Sequence, residues 1–408
     1  MTPASYVRSL AIAASLVFVG VACSDGTLDE VVADDVSGDP DGPDAADVDG
    51  GNRADDAGEN ADASSDGDGG DAGDAATPRT CSDEGWCHTE VPDAQTLRDV
   101  WGDGNGVVWT VSTAGNIFYW NGTTWIPSYA AGSPLHAIWG SGPNDLWAGG
   151  DGGLYHGTGS SPATMTWTPV AVGAPIRSIW GKSATDVWAT GYSGTTSSFT
   201  GFVLHYSGPP DESADGGDPA TGWTADPVAK AFPTRFTKVW GTSDSDVWLG
   251  GQIGSLNDGR VLRGRPDGTG GYVWTGAPET PTGRSFNGAG FVSPNEVILL
   301  GLDPSTSLPG WHTGVRAADD ATFTWTRHDG FASGNAPLNA VWGKSPDDVW
   351  VAGALGRLRH WDGTIWHVAA TALDDVMPVI ATLYAIWGSG TDGIWVVGEG
   401  IALHKVAP

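Results

Sequence analysis

The stretch Leu135-His-Ala-Ile-Trp139-Gly-Ser-Gly-Pro-Asn-Asp145-Leu-Trp147 sets short apolar alternations on either side of a Gly-Pro-Asn turn. Such a pattern reads as two β-strands joined tightly. It recurs as Ile176-Arg-Ser-Ile-Trp180-Gly and Asp186-Val-Trp188, and again at Trp240/Trp248, Trp342/Trp350 and Trp387/Trp395. Trp101/Trp109 opens the series, and in all six copies the tryptophans stand eight residues apart. A seventh, degenerate copy runs from Phe286 to Ile298, with Gly290 and Ile298 in the tryptophan slots.

Working outward, each pair is followed by a glycine-bounded turn and a third short apolar segment. These are Ile117–Tyr119, Leu154–His156, Val203–His205, Val261–Arg263, Leu358–His360 and Ala402–His404, with a less clear copy around Trp311-His312. A fourth segment carries its own tryptophan: Trp125, Trp167, Trp223, Trp274, Trp325 or Trp366. The last unit, from Leu383, ends after its third segment, whereas Trp86-Cys-His-Thr-Glu-Val91 upstream matches the fourth. The N-terminal segment is therefore expected to complete the C-terminal unit and close a ring, which removes two open sheet edges. With that assignment all 22 tryptophans have a place. Seven units over residues 81–408 average about 47 residues, the size of one blade. The fold class expected is all-β, a seven-bladed β-propeller of four-stranded blades.

Composition excludes other classes. The chain has 408 residues, with 19 Lys+Arg against 49 Asp+Glu, a formal charge of −30. Such a chain repels phosphate backbones, so no nucleic-acid partner is expected. No run of about 18 apolar residues exists, so no spanning helix is expected. Residues 1–23 read as a signal peptide, with Arg8 before the mostly apolar run Leu10–Ala22. Residues 24–80 hold 16 Asp and 2 Glu against Arg53 and Arg79, and no aromatic residue. They cannot bury enough apolar surface to offset ordering and read as a disordered acidic tether. Stretches such as Asp66-Gly-Asp68-Gly-Gly-Asp71 lack the closing Glu of an EF-hand loop, so solvation is favoured over specific calcium sites.

Two resemblances follow from these residues. Gly20-Val21-Ala22-Cys23 resembles the lipobox of bacterial lipoproteins, with Gly20 where that pattern usually has Leu. It implies lipidation of Cys23 and anchoring in the bacterial envelope; Ser24 points to the outer membrane. The alternative is a soluble secreted protein cut after Ala22. The repeat in residues 81–408 resembles the tryptophan-rich propellers of bacterial secreted lipoproteins and the Asp-box propellers of the sialidase and photosystem-assembly-factor type. Trp120-Asn-Gly-Thr-Thr-Trp125 and Trp361-Asp-Gly-Thr-Ile-Trp366 are close to a short Asp-box, whose Asp or Asn and Gly shape the turn between third and fourth strands. In an exported chain Cys81 and Cys87 are expected to pair as a disulfide stapling the closing strand.

For chemistry, His156, His205, His360 and His404 hold one place in four third segments, and Asp145, Asp186, Asp246 and Asp348 lie two residues before a tryptophan. Counting across the turn near Ala354 sets Asp348 opposite His360, so an Asp–His hydrogen bond within each blade is favoured over a shared metal site. Three residues before each first-strand tryptophan, or its substitute, stand Arg98, His136, Arg177, Thr237, Asn287, Asn339 and Tyr384. First strands line a propeller's channel, so this set is expected to ring one mouth. Arg98, His136, Arg177 and Tyr384 are the candidate ligand-binding residues, suited to an anionic group. No arginine triad with a Tyr–Glu nucleophile pair, Gly-x-Ser-x-Gly, His-Glu-x-x-His or phosphate loop appears, and no cofactor or metal is expected.

Longer connections in blades three to five, at Tyr192–Thr200, Gly208–Gly222, Gln252–Gly259 and Asp303–Pro309, are candidate binding loops or neutral insertions. The reading is a monomeric, surface-anchored, non-enzymatic module binding an envelope or extracellular protein, peptide or glycan. The alternatives are a hydrolase or lyase with a channel-mouth site, and a purely structural envelope component.

Overall fold

A computed structural model describes residues 80–408, apart from 196, 210–221, 243–245, 255–257, 277–284, 303–308, 318–321, 329–335, 373–377, 390–392 and 407–408. The signal-like segment with Cys23 and the acidic stretch up to residue 79 lie outside the described residues, as do the cores of the Gly208–Gly222 and Asp303–Pro309 insertions.

Seven four-stranded antiparallel sheets form a seven-bladed ring. The first strands are Leu97–Gly102, Leu135–Gly142, Ser178–Ser183, Arg235–Gly241, Ser285–Ser293, Leu338–Ser345 and Leu383–Ser389. Each packs on the next, and the seventh packs on the first. The closing strand is Trp86–Thr89, paired antiparallel with Ile401–Lys405 from Trp86↔Lys405 to Thr89↔Ala402. Cys81 and Cys87 are bonded beside it.

The eight-residue tryptophan spacing is a cross-strand register. Trp101↔Trp109, Trp139↔Trp147, Trp180↔Trp188, Trp240↔Trp248, Trp342↔Trp350 and Trp387↔Trp395 are direct partners, as are Gly290↔Ile298 in the degenerate blade. The glycine after each first-strand tryptophan has a steric cause. A Cβ on Gly102, Gly140, Gly181, Gly241 or Gly388 would sit 2.4–2.8 Å from a first-strand tryptophan ring of the preceding blade. Glycine is thus the seat for the neighbour's indole. Blade five has no such tryptophan to offer, and Val292 fills the corresponding seat at Gly343. Second-strand tryptophans are among the deepest side chains, with Trp109 and Trp188 fully buried and Trp147, Trp248 and Trp395 nearly so. The apolar clusters they anchor each join two adjacent blades.

Third-to-fourth turns are shaped as the Asp-box resemblance implies. The Asn121 carboxamide oxygen accepts from Thr123 and Thr124 N–H, and the Asp362 carboxylate from Thr364 and Ile365 N–H. Asp267 does the same for Thr269 and Gly271, a turn the motif comparison passed over.

Two expectations are corrected. Much of Tyr192–Thr200 and Gln252–Gly259 is strand and not free loop: the ladders run on to Gly194↔Phe199 and Ile253↔Asp258, which lengthens the hairpins Asp186–Gly194/Phe199–Tyr206 and Val247–Ile253/Asp258–Pro266. Asp348 is not directly opposite His360; Trp350 is, so the turn centre lies one residue later than counted. The Asp–His bonds form nevertheless, on the diagonal. His156–Asp145, His205–Asp186 and His360–Asp348 lie at 2.6, 2.9 and 2.8 Å, each imidazole stacked on the blade's second-strand tryptophan. His404 stacks likewise on Trp395. The fourth aspartate, Asp246, meets Arg263 instead.

Strand direction separates the two faces of the ring. First strands begin, and second-to-third turns lie, at one face; Trp86 and Lys405 lie at the other.

Candidate functional site

The start of each first strand faces the channel, and a backbone irregularity aims one side chain into it. In six blades the register slips by one residue at this point. The residue left over is Arg98, His136, Thr237, Asn287, Asn339 or Tyr384. A bulged residue has no partner across the strand, so its side chain is turned out of the pleat. In blade three the described strand begins just after Arg177, whose N–H reaches Thr190 O at 2.8 Å. All seven residues line one cavity of about 500 Å³. The sequence set is therefore gathered at one mouth, one residue from each blade.

The charged and aromatic lining residues outside that set are Asp99, Asp151, Tyr192 and Lys238. Asp99 and Lys238 follow the bulged residue of their strands. Asp151 and Tyr192 come from second-to-third hairpins, which lie on this face by strand parity.

Charges at the mouth are paired locally. Asp151 accepts from Arg177 at 2.6 Å and lies 3.1 Å from His136 Nε2. Burial pushes the Asp151 carboxyl up, but the His136 hydrogen bond and the Arg177 charge outweigh it and hold it below the usual range. His136 moves down, chiefly because burial and Arg177 disfavour a second cation, so the imidazole is a neutral ligand group. Arg98 lies over the Tyr384 ring at 3.8 Å, and the Tyr384 hydroxyl donates to Glu399 at 3.0 Å. Burial, then the Glu399 bond, raises the phenol's pKa. Arg235 lies over Tyr192 at 4.5 Å and donates to its hydroxyl, fixing that ring at the rim.

Asp99 serves the scaffold. Its two oxygens accept the N–H groups of Val100 and, across the blade boundary, Ile138, each at 3.0 Å. Burial raises its pKa against the pull of Lys238 and these amides. The Lys238 ammonium makes no hydrogen bond or ion pair among the described residues. The lining carries the three permanent cations Arg98, Arg177 and Lys238 against Asp99 and Asp151. A surplus of positive charge at this mouth stands out on a chain of formal charge −30. Among the described residues no His, Cys, Asp and Glu group could hold a metal ion.

No family model matches the chain, and no curated protein sequence matches it. Among solved structures it is similar to "YCF48 bound to D1 peptide", at 15% identity and TM-score 0.57, covering 81% of this chain and 100% of that one. YCF48 from Cyanidioschyzon merolae gives 14% identity and TM-score 0.56, covering 79% of this chain and 99% of that one. A streptogramin B lyase structure gives 12% and 0.51, covering 79% and 97%. Likeness at this level is likeness of fold, which hosts both binding proteins and enzymes.

Proposed function

We propose that the chain is an exported, lipid-anchored and non-enzymatic binding module whose channel mouth takes an anionic group of a protein, peptide or glycan. One observation carries this reading: seven polar side chains of five kinds, one per blade, converge on a cavity with surplus cationic charge. A merely structural position in a repeat would be filled alike from blade to blade. Arginine pairs well with carboxylate and phosphate geometry, and Lys238 supplies a further point charge. The non-catalytic reading is supported by the two carboxylates, both already engaged: Asp99 by backbone amides, Asp151 by His136 and Arg177. That a propeller of this build can hold a peptide is consistent with the structure of YCF48 bound to D1 peptide.

The test is a thermal-shift screen of the oxidised full chain against anionic and neutral glycans, peptidoglycan fragments and short peptides. An Arg98→Ala/Arg177→Ala variant runs alongside. The expected result is a raised Tm with an anionic ligand, and a loss of about tenfold or more in affinity in the variant, since a charge-assisted contact contributes about 1.5–3 kcal/mol. A ligand whose shift survives the double substitution would remove the mouth from the reading.

A further inference from the structure

The lengthened hairpin of blade three leaves part of its third strand without an outer neighbour. Its second strand pairs with Phe199–Tyr206 throughout, from Gly194↔Phe199 to Val187↔Tyr206. The fourth strand, Trp223–Ala225, covers only Leu204, His205 and Tyr206. One more bond, from Asp226 N–H to Val203 O at 2.8 Å, ends the cover. Backbone groups point to alternate sides along an antiparallel strand. The outward carbonyl of Val203 therefore places the N–H and C=O of Gly201 and Phe199 on the same outer side, where no described strand pairs with them. In blade one, by contrast, the fourth strand covers every residue of the third, and in blade two every residue but Gly153.

Beside this bare edge lies a second cavity of about 520 Å³. Phe199 and Phe202 line one side, and Ala225, Pro227, Ala229 and Lys230 the other, around the helical turn Val228–Ala231. Asp226, also in the wall, is tied to Val228 N–H at 2.8 Å. Lys230 is the exposed charge at the rim.

We propose that this groove is a strand-addition site for an extended segment of a partner protein. Alternating donors and acceptors at strand spacing match an extended backbone better than any sugar or lipid. From Phe199 to Val203 the edge spans about 14 Å, room for about five residues of added strand. The apolar walls select aliphatic side chains at alternate positions, and Lys230 favours an acidic flank. Natural sheets cover or blunt their edges, so a bare edge beside an apolar groove marks an interaction surface. The site is independent of the channel mouth.

The full chain would be panned with a phage-displayed library of random linear peptides, with counter-selection on an Ala229→Trp variant that fills the groove. Amide hydrogen exchange would then be followed with each enriched peptide. The expected peptides alternate aliphatic residues, slow exchange at Phe199 and Gly201 about tenfold or more, and bind Ala229→Trp about tenfold or more weakly. Phe199→Pro, which deletes an outward N–H at a strand's first residue, should weaken them too without filling the groove. Arg98→Ala/Arg177→Ala should not. No enrichment over Ala229→Trp, or protection confined to other amides, overturns the site. Protection of Phe199 and Gly201 that grows with protein concentration and no peptide would assign the edge to a second copy of this chain instead.

Discussion

At Asp246 a single carboxylate holds two guanidinium groups, Arg263 Nε at 3.0 Å and Arg316 at 2.8 Å, with Asp246 and Arg263 side chains 7% and 8% exposed. Arg316 comes from the next blade, so the aspartate joins two blades. Asp246→Ala strands buried cations and should cost about 3–5 kcal/mol by urea unfolding. Asp145→Ala breaks the half-exposed His156 pair and should cost about 1 kcal/mol or less. A second residue has a pH signature. Burial, with a smaller push from His328, brings His312 down from 6.5 to about 4, and its buried Nε2 has no hydrogen-bond partner among the described residues. The unfolded chain thus takes up this proton near pH 6.5 and the folded chain only near 4. Stability associated with neutral His312 is complete above pH 6.5 and falls as the pH drops towards 4. The Tm gap between the native chain and His312→Gln should shrink over that interval in a series of melts.

Between elements, contact rests on indole seated against glycine. Gly181 illustrates it: an added Cβ would lie 2.5 Å from the Trp139 ring, whereas at Gly142 it would meet nothing within 4 Å. Gly181→Ala should therefore cost about 1–3 kcal/mol through overpacking. Gly142→Ala should be near neutral, and paired denaturant curves decide between these outcomes. This packing explains why so much of the fold was legible. Trp-Gly is conspicuous in a sequence, it repeats, and each copy marks the same strand, so blade number followed from it, while ring closure followed from the fourth-strand pattern at Trp86. The bulges were not legible. They depend on where two strands lose register, and Thr237 or Asn287 looks no different in a straight strand. Their consequence showed only as a polar residue at a fixed distance before tryptophan. Asp151 and Tyr192 escaped because hairpins far apart in sequence meet at the mouth only after the ring has closed.

The whole chain carries a formal charge of −30, while the channel mouth carries a small cationic surplus. An anion approaching from a distance meets the repulsive field first and the arginines last. Salt shortens the reach of the field, from about 30 Å at 0.01 M to about 8 Å at 0.15 M. For the anionic ligand proposed above, the association rate should rise over that range and the dissociation rate rise modestly, as measured by stopped flow. A fall in association rate with salt would mean that the mouth's own field dominates.

The closing strand has a practical consequence as well. Ile401–Lys405 ends opposite Trp86, so the C-terminal end of the ring leaves from the face turned away from the cavity, while the N-terminal residues turn back alongside the closing strand, with Cys81 opposite Cys87 and Thr80 O accepting from His88 N–H. A biotin, a surface linker or a fluorescent reporter can be placed at the C-terminal end and leave the arginine-lined mouth open to the bulk. Whatever holds such a disc by its C-terminal end holds it like a dish by its back, with the bowl facing out.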